Sequence, residues 1–392
     1  MKKPPSTPHL PPSKSPRVAI VHDWLYGGGA EKVVLELHKM FPKAPIYTSY
    51  CTDEWRQKLD NKVVTGYLQY WPFSKLRKFL PILRQRWFSG LNLEGFDLVI
   101  SSSGNGEAKF VLSKMPSSKP VHICYCHTPP HFLWNKYDQY LENPGFRPKW
   151  LARLGLKLLV KPLRKRDYNI AQRVDFFIAN STHIQSYIKQ YYGRDSVVIH
   201  PPVDTDRFSK IKGTQRQGFI TVGRQNPYKR TDILITACNK LKLPLTVIGK
   251  GPEHKDLVKL AGPTIMFDTN ADDDAIVEYM ASTEAFLFAA EEDFGITPVE
   301  AMAAGTPVIA YKAGGALDYV IEGKTGLFFE EQTSESLMKV LQDFNPKKID
   351  GIEISKHSEL FAEKQFHKKF NKLLTENVLY WTYAKLPHPQ TE

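Results

Sequence analysis

Apolar residues in this chain come in short unbroken runs, each closed by glycine, proline or charge and then followed by a helical pattern. "RVAIVHDWL" at 17–25 opens with β-branched and small residues and predicts a buried strand. "YGGGAEKVVLELHKMF" comes next, with Val33, Val34, Leu37 and Met40 at helical spacing behind three glycines. Strand, glycine turn and helix form the opening of an α/β unit. "FDLVISSSG" at 96–104 and "VHICYCHTPP" at 121–130 predict two further strands. "VDFFIANSTHIQSYIKQYYG" predicts a strand, a Ser/Thr cap and a helix. "SVVIHPPVD" predicts another strand, broken at Pro201 and Pro202.

The pattern then restarts. "GFITVGRQNPYKRTDILITACNKL" predicts strand, loop and helix, and "PLTVIGKGPE" a strand and glycine turn. "TIMFDTN" and "DDDAIVEYMASTEAFLFAAEED" continue it, and "DFGITPVEAMAAGTPVIAYKAGG" adds a turn, a helix and a strand. The expected fold class is therefore α/β, with two doubly wound Rossmann-like domains facing each other across a cleft. Boundaries follow from the break near Pro201–Phe208. Residues 1–16 form a Pro/Ser-rich disordered tail, 17–203 the first domain and 204–372 the second. Residues 373–392 form a closing segment that packs back on the first domain.

Composition narrows the class. The 392 residues exceed what one core serves well. No run of eighteen apolar residues predicts a spanning helix. The first sixteen residues lack the apolar stretch of a secretory signal. Cys51, Cys124, Cys126 and Cys238 form no C-x-x-C pair. Packed, reduced cysteines and a cytoplasmic protein are expected. Net charge of +12 points to an acidic partner: nucleic acid, anionic lipid or phosphorylated substrate.

In open parallel sheets, ligands sit beyond the carboxyl ends of the strands. "VGRQNPYKR" at 222–230 places Arg224 and Lys229 around one such loop, a cationic pair suited to a diphosphate. A solvated basic loop is the plainer alternative. "DFGITPVEAMAAG" starts a helix whose backbone N–H groups at Phe294, Gly295, Ile296 and Thr297 are free to meet an anion. Glu300 lies in that first turn, and Glu292 at the preceding strand end. Acids near helix starts are favoured electrostatically in any case. That accounts for Glu300 but not for Glu292, Asp293 and the glycines together. Gly27, Gly28 and Gly29 offer bare backbone for close approach. His127 follows a strand and is able to meet a sugar hydroxyl or leaving phosphate; a packing histidine is the alternative.

"GGGAEKVV", "HTP", "VGRQNPYKR", "VIGKGPE" and "EEDFGITPVEAMAAGTPVIAYKAGG", in that order over about 17–330, resemble the family-4 glycosyltransferases of the GT-B fold. "EEDFGITPVEA" with "YCHTPP" is similar to a bacterial subgroup of O-antigen mannosyltransferases. The resemblance implies retaining transfer from a nucleotide sugar, GDP-mannose foremost, in cell-surface polysaccharide synthesis. By it, Arg224 and Lys229 bind the diphosphate, Glu300 the ribose and Glu292 the donor sugar. Gly28 and Gly29 approach the diphosphate, His127 orients the sugar, and Lys250 and Gly251 lie near the nucleotide. Asp293 departs from the glycine of many relatives. No D-x-D clamp sits at a strand end, so no metal is expected, and no cofactor. A UDP-sugar enzyme and a non-catalytic sugar-nucleotide-binding scaffold are the alternatives.

Two stretches bear on the acceptor, expected to be a glycan or lipid-linked glycan. "WPFSKLRKFLPILRQRWFSG" at 71–90 holds five basic residues, five aromatics and no acid. "RPKWLARLGLKLLVKPLRKR" at 147–166 holds eight basic residues and no acid. Basic amphipathic helices lie on anionic membrane surfaces, so the protein is expected to be peripheral on the inner face of the plasma membrane. Leucines facing the core are the alternative. No nucleic-acid recognition motif accompanies the charge, and nucleic acid is not expected as a partner.

Overall fold

A computed structural model describes residues 16–76, 80–112, 120–144, 148–210 and 216–378. The tail expected over 1–16 lies outside them apart from Pro16, as does the end of the chain from 379.

Two all-parallel sheets carry the fold. The first joins β1 (Val18–His22), β2 (Ile46–Thr48), β3 (Val63–Val64), β4 (Leu98–Ser103), β5 (Val121–Cys126), β6 (Phe176–Ala179) and β7 (Ser196–Val198). Its order is β3-β2-β1-β4-β5-β6-β7. The second joins β8 (Phe219–Val222), β9 (Leu245–Ile248), β10 (Ile265–Asp268), β11 (Ala285–Phe288), β12 (Val308–Tyr311) and β13 (Gly326–Phe329), in the order β10-β9-β8-β11-β12-β13. Strand order reverses between β1 and β4 and again between β8 and β11. Each reversal opens a crevice at the carboxyl ends.

The unbroken apolar runs have a physical cause. Helices cover both faces of a parallel sheet, so alternate side chains enter two cores and neither set meets water. In β1, Val18 and Ile20 enter one core while Ala19 and Val21 enter another. In β5, Ile123 and Tyr125 face the first core, and Cys124 and Cys126 share the opposite face. All four cysteines are buried and unpaired. Burial pushes the Cys124 thiol up to about 11 and that of Cys238 up to about 12.

Seven helices bear on the site: α1 (Gly29–Met40), α2 (Tyr137–Glu142), α3 (Lys149–Ala171), α4 (Thr182–Tyr192), α5 (Thr231–Leu241), α6 (Ile296–Ala303) and α7 (Glu363–Leu373). Helix α7 returns to the first sheet, where Phe366, Phe370 and Leu373 join the core of Val33, Val34 and Leu37. Burying one such Phe contributes roughly 1.5–3 kcal/mol. The return therefore begins at Glu363, ten positions before the expected boundary at 372/373. Residues 363–372 read as plain helix in sequence, and only the placement of Phe366 and Phe370 assigns them to the first domain. The chain thus crosses between the domains twice, and the crossings pair: Val203 N–H donates to Phe361 O at 3.0 Å.

The basic stretch at 71–90 is in part structural. Arg84, Trp87 and Phe88 are buried, and Arg84 pairs with Glu107 at 2.7 Å. Burial pushes the Glu107 carboxyl up to about 7 against the pull of that guanidinium. Helix α3 divides along its length. Val160, Leu163 and Ile170 are buried, and Asp167 pairs with Lys109 at 2.6 Å. Its first half instead exposes Trp150, Leu151, Leu154 and Leu158.

Candidate functional site

Loops at the carboxyl ends of both sheets meet across a cavity of about 590 Å³. The loop after β11 supplies its floor. Gly295 has φ +87°, and a Cβ there would lie 3.0 Å from Tyr319 Oη and 3.1 Å from Phe288 Cζ. Only glycine takes this turn without strain. The turn starts α6 with no side-chain cap on its free N–H groups. An uncapped, partly buried helix start presents donors and a partial positive charge to whatever occupies the space before it. From the first domain, Gly29 opens α1 against the same turn; a Cβ on Gly29 would lie 3.0 Å from Ile296 Cδ1. Helix α1 also lacks a side-chain cap.

Paired charges ring these helix starts. The Lys229 ammonium contacts Glu292 Oε1, and both side chains are mostly buried. Burial works against the Lys229 charge, but Glu292 outweighs it and raises the pKa, so the ammonium persists. Across the cleft, Lys32 Nζ of α1 donates to Glu300 Oε1 of α6 at 2.6 Å. Lys32 is nearly half exposed, so this pair is worth at most about 1 kcal/mol. His131 Nε2 lies 3.3 Å from Asp293 Oδ2, again between the domains. Burial alone would raise the Asp293 pKa and lower that of His131. Their mutual attraction reverses both, holding the carboxyl below its ordinary range and the imidazole above 6.5.

His127 directly follows β5 and is buried. Its Nε2 lies 2.8 Å from Ser102 Oγ. Burial first, then the neighbouring His22, push its pKa down to about 3, so the ring is neutral near pH 7. Asp23, after β1, fixes the frame beneath: its carboxylate accepts from the N–H groups of Gly104, Asn105 and Ala108, each at 2.7 Å. That bond set ties the loops on either side of the first crevice.

Of the residues expected from sequence, Gly29, His127, Lys229, Glu292, Phe294, Gly295, Ile296, Thr297 and Glu300 line the cavity. Gly28, Arg224, Lys250 and Gly251 do not. Gly28 is the exposed residue preceding α1. Arg224 is exposed and bridges the domains, its Nη2 donating to Gly27 O at 3.1 Å with the guanidinium over Tyr26. Lys250 and Gly251 back the Arg224 loop: Gln225 N–H donates to Lys250 O at 3.0 Å, and a Cβ on Gly251 would lie 2.4 Å from Gln225 O. Sequence reading passed over Lys32, His131, Lys136 and Tyr228, which also line the space. Lys32 stood inside the quoted "GGGAEK", and His131 directly follows "HTPP", so both lay beside recognised motifs.

Two doubly wound sheets with facing carboxyl ends are the GT-B arrangement. The chain belongs to the family-4 glycosyltransferases: residues 27–207 match the family described as Glycosyltransferase Family 4, and residues 202–348 the one described as Glycosyl transferases group 1. It is 27% identical to a D-inositol 3-phosphate glycosyltransferase of Rhodococcus jostii, over 50% of this chain and 51% of that protein. It is 24% identical to the alpha-1,3/1,6-mannosyltransferase ALG2 of Dictyostelium discoideum, over 92% of this chain and 98% of that protein. The chain spans about half the length of the first of these relatives. Anabaena Alr3699/HepE, solved in complex with UDP and glucose, superposes with a TM-score of 0.66 at 19% identity, covering 92% of this chain and all of that one.

The His131–Asp293 pair has a defined pH response. The His131 pKa is raised by folding, so its share of the pairing is intact below 6.5 and fades as pH climbs through the raised value. The Asp293 share is lost only on acidification through its lowered value. An NMR titration of the imidazoles should place His131 above 6.5 in the wild type. In Asp293→Asn the main opposition to burial is gone and His131 should titrate lower than in the wild type; an unchanged value would mean the pair does not form.

Proposed function

We propose that this protein is a retaining glycosyltransferase that moves mannose from GDP-mannose to a glycan or lipid-linked acceptor. The observation that carries the reading is the cavity itself. An uncapped helix start, a mostly buried ammonium at Lys229 and two carboxylates, Glu292 and Glu300, converge between two doubly wound domains. A nucleoside diphosphate sugar needs these groups: cations and N–H donors for the diphosphate, and carboxylates for vicinal hydroxyls. The likeness to ALG2 mannosyltransferases of two organisms, near full length in one and over 79% of this chain in the other, supports mannose as the transferred sugar. A UDP-sugar donor is the second reading, favoured by a structural neighbour solved with UDP-glucose.

In this reading charge does the chemistry. As the anomeric bond breaks, the leaving diphosphate gains negative charge, and Lys229 and the N–H groups of 294–297 stabilise it more than they stabilise the ground state. Glu292 turns from Lys229 toward the sugar hydroxyls, and Glu300 leaves Lys32 for the ribose. Neutral His127 offers a hydrogen bond and no charge. The departing phosphate takes the acceptor's proton on the same face.

The first half of α3 supports an anionic membrane surface as the place of work. Trp150, Leu151, Leu154 and Leu158 are exposed among Lys149, Arg153 and Lys157. Apolar side chains flanked by cations match the headgroup boundary of an anionic leaflet. Among the described residues no helix is long and apolar enough to cross a membrane.

A thermal-shift panel of GDP-, UDP- and ADP-sugars tests the donor. GDP-mannose should stabilise the protein selectively, and Lys229→Ala should lower turnover by about 10²- to 10³-fold. Equal shifts with every nucleotide sugar, or none, would count against the donor assignment. Sedimentation with vesicles tests the surface: the protein should pellet with phosphatidylglycerol vesicles and not with phosphatidylcholine ones. Leu154→Glu with Leu158→Glu should abolish pelleting while leaving the thermal transition in place; unchanged pelleting would discard α3 as the anchor.

A further inference from the structure

The carboxyl ends of β1, β4 and β5 hold three polar side chains in a row beneath the cavity: His22, Ser102 and His127. His22 and Ser102 are register partners in the β1–β4 ladder. All three are buried, and Ser102 has no exposure. His22 Nδ1 lies 2.9 Å from Ser102 O and 3.0 Å from Ser102 Oγ. Ser102 Oγ lies 2.8 Å from His127 Nε2.

Hydrogen placement follows from the one group that has no choice. A carbonyl oxygen only accepts, so His22 Nδ1 carries a hydrogen and donates to Ser102 O. The same N–H lies beside Ser102 Oγ, which accepts from it. Among the described residues His127 Nε2 is the one acceptor left for the hydroxyl hydrogen, so Ser102 Oγ donates to it and that nitrogen is bare. The single hydrogen of neutral His127 therefore sits on Nδ1. Among the described residues nothing pairs with that nitrogen, and His127 lines the cavity.

We infer that His22 and Ser102 are positioning residues that lock His127 in its Nδ1–H form, so that it presents one fixed hydrogen-bond donor to an oxygen of the bound donor sugar. The inference rests on the reading of the cavity as a donor site for its purpose, but not for its test. A tautomer fixed from beneath needs no reorganisation when substrate enters, which is where preorganised donors gain their effect. The alternative Nε2–H form would turn its only hydrogen down toward Ser102 and offer the cavity a bare nitrogen. Hydroxyl oxygens and phosphate oxygens of the donor differ in what they require: either accepts from an N–H, but a phosphate oxygen gains nothing from a bare nitrogen.

The test is the ring-nitrogen NMR spectrum of the full chain labelled with ¹⁵N-histidine, with no ligand added. The His127 signals are those lost in His127→Gln. The wild type should show Nδ1 protonated and Nε2 bare; protonated Nε2 would overturn the inference outright. Ser102→Ala removes the hydroxyl facing Nε2 and should lose the unique Nδ1–H signature. His22→Asn keeps an N–H donor near the position of Nδ1 and should retain it, while His22→Leu should not. Retention of the signature in both Ser102→Ala and His22→Leu would also overturn the assignment. Because no nucleotide enters the measurement, failure here leaves the donor reading standing, and failure of the donor panel leaves the tautomer standing.

Discussion

Charge removed from water between two protein surfaces persists only when it is paired, and the cleft of this protein is organised by that constraint. Lys229 against Glu292, Lys32 against Glu300 and His131 against Asp293 each put opposite charges together in the gap. Unpaired, Lys229, Glu292 and Glu300 would lose hydration without compensation. Paired, they hold a set of cations and carboxylates ready at one place. Two of the three pairs span the domains, so the same contacts that settle the charges also join the lobes.

Those contacts are modest, and that suits a site that must exchange partners. Lys32 is half exposed and its bond to Glu300 is easily traded for a ligand's hydroxyls. The rigid part lies underneath. Asp23 clamps three backbone N–H groups, and the strand ends beneath are fully buried. The site thus combines a fixed backbone frame with side-chain pairs that a polyhydroxylated anion is able to separate. The double crossing of the chain, with α7 seated in the first core, joins the lobes by two strands of backbone that run side by side.

The sheets were legible in sequence because parallel strands covered on both faces become continuous apolar runs, as in "VAIVH" and "VHICYC". The turn at 292–300 was legible because its backbone demands glycine and its helix starts with proline in the first turn. What escaped was set by juxtaposition. Nothing local marks Lys32 as the partner of a residue 268 positions away. His22 and Ser102 look like strand residues until register places them side by side. His131 gains meaning only when Asp293 arrives from the other lobe. The return of α7 was placed too late because an amphipathic helix shows that it has a buried face, not which core receives it. Arg224 was expected beside Lys229 at the diphosphate, yet it bonds Gly27 O, since a long side chain at a loop tip is free to choose its acceptor.

The central claim is that the uncapped start of α6 and the Lys229 ammonium form a single diphosphate seat. A crystal structure of the protein soaked with GDP tests this most directly. The β-phosphate should lie within hydrogen-bond distance of Lys229 Nζ and of backbone N–H groups between Phe294 and Thr297, with the ribose on Glu300. A nucleotide found outside the cleft, or in it with its phosphates turned away from α6, would contradict the account.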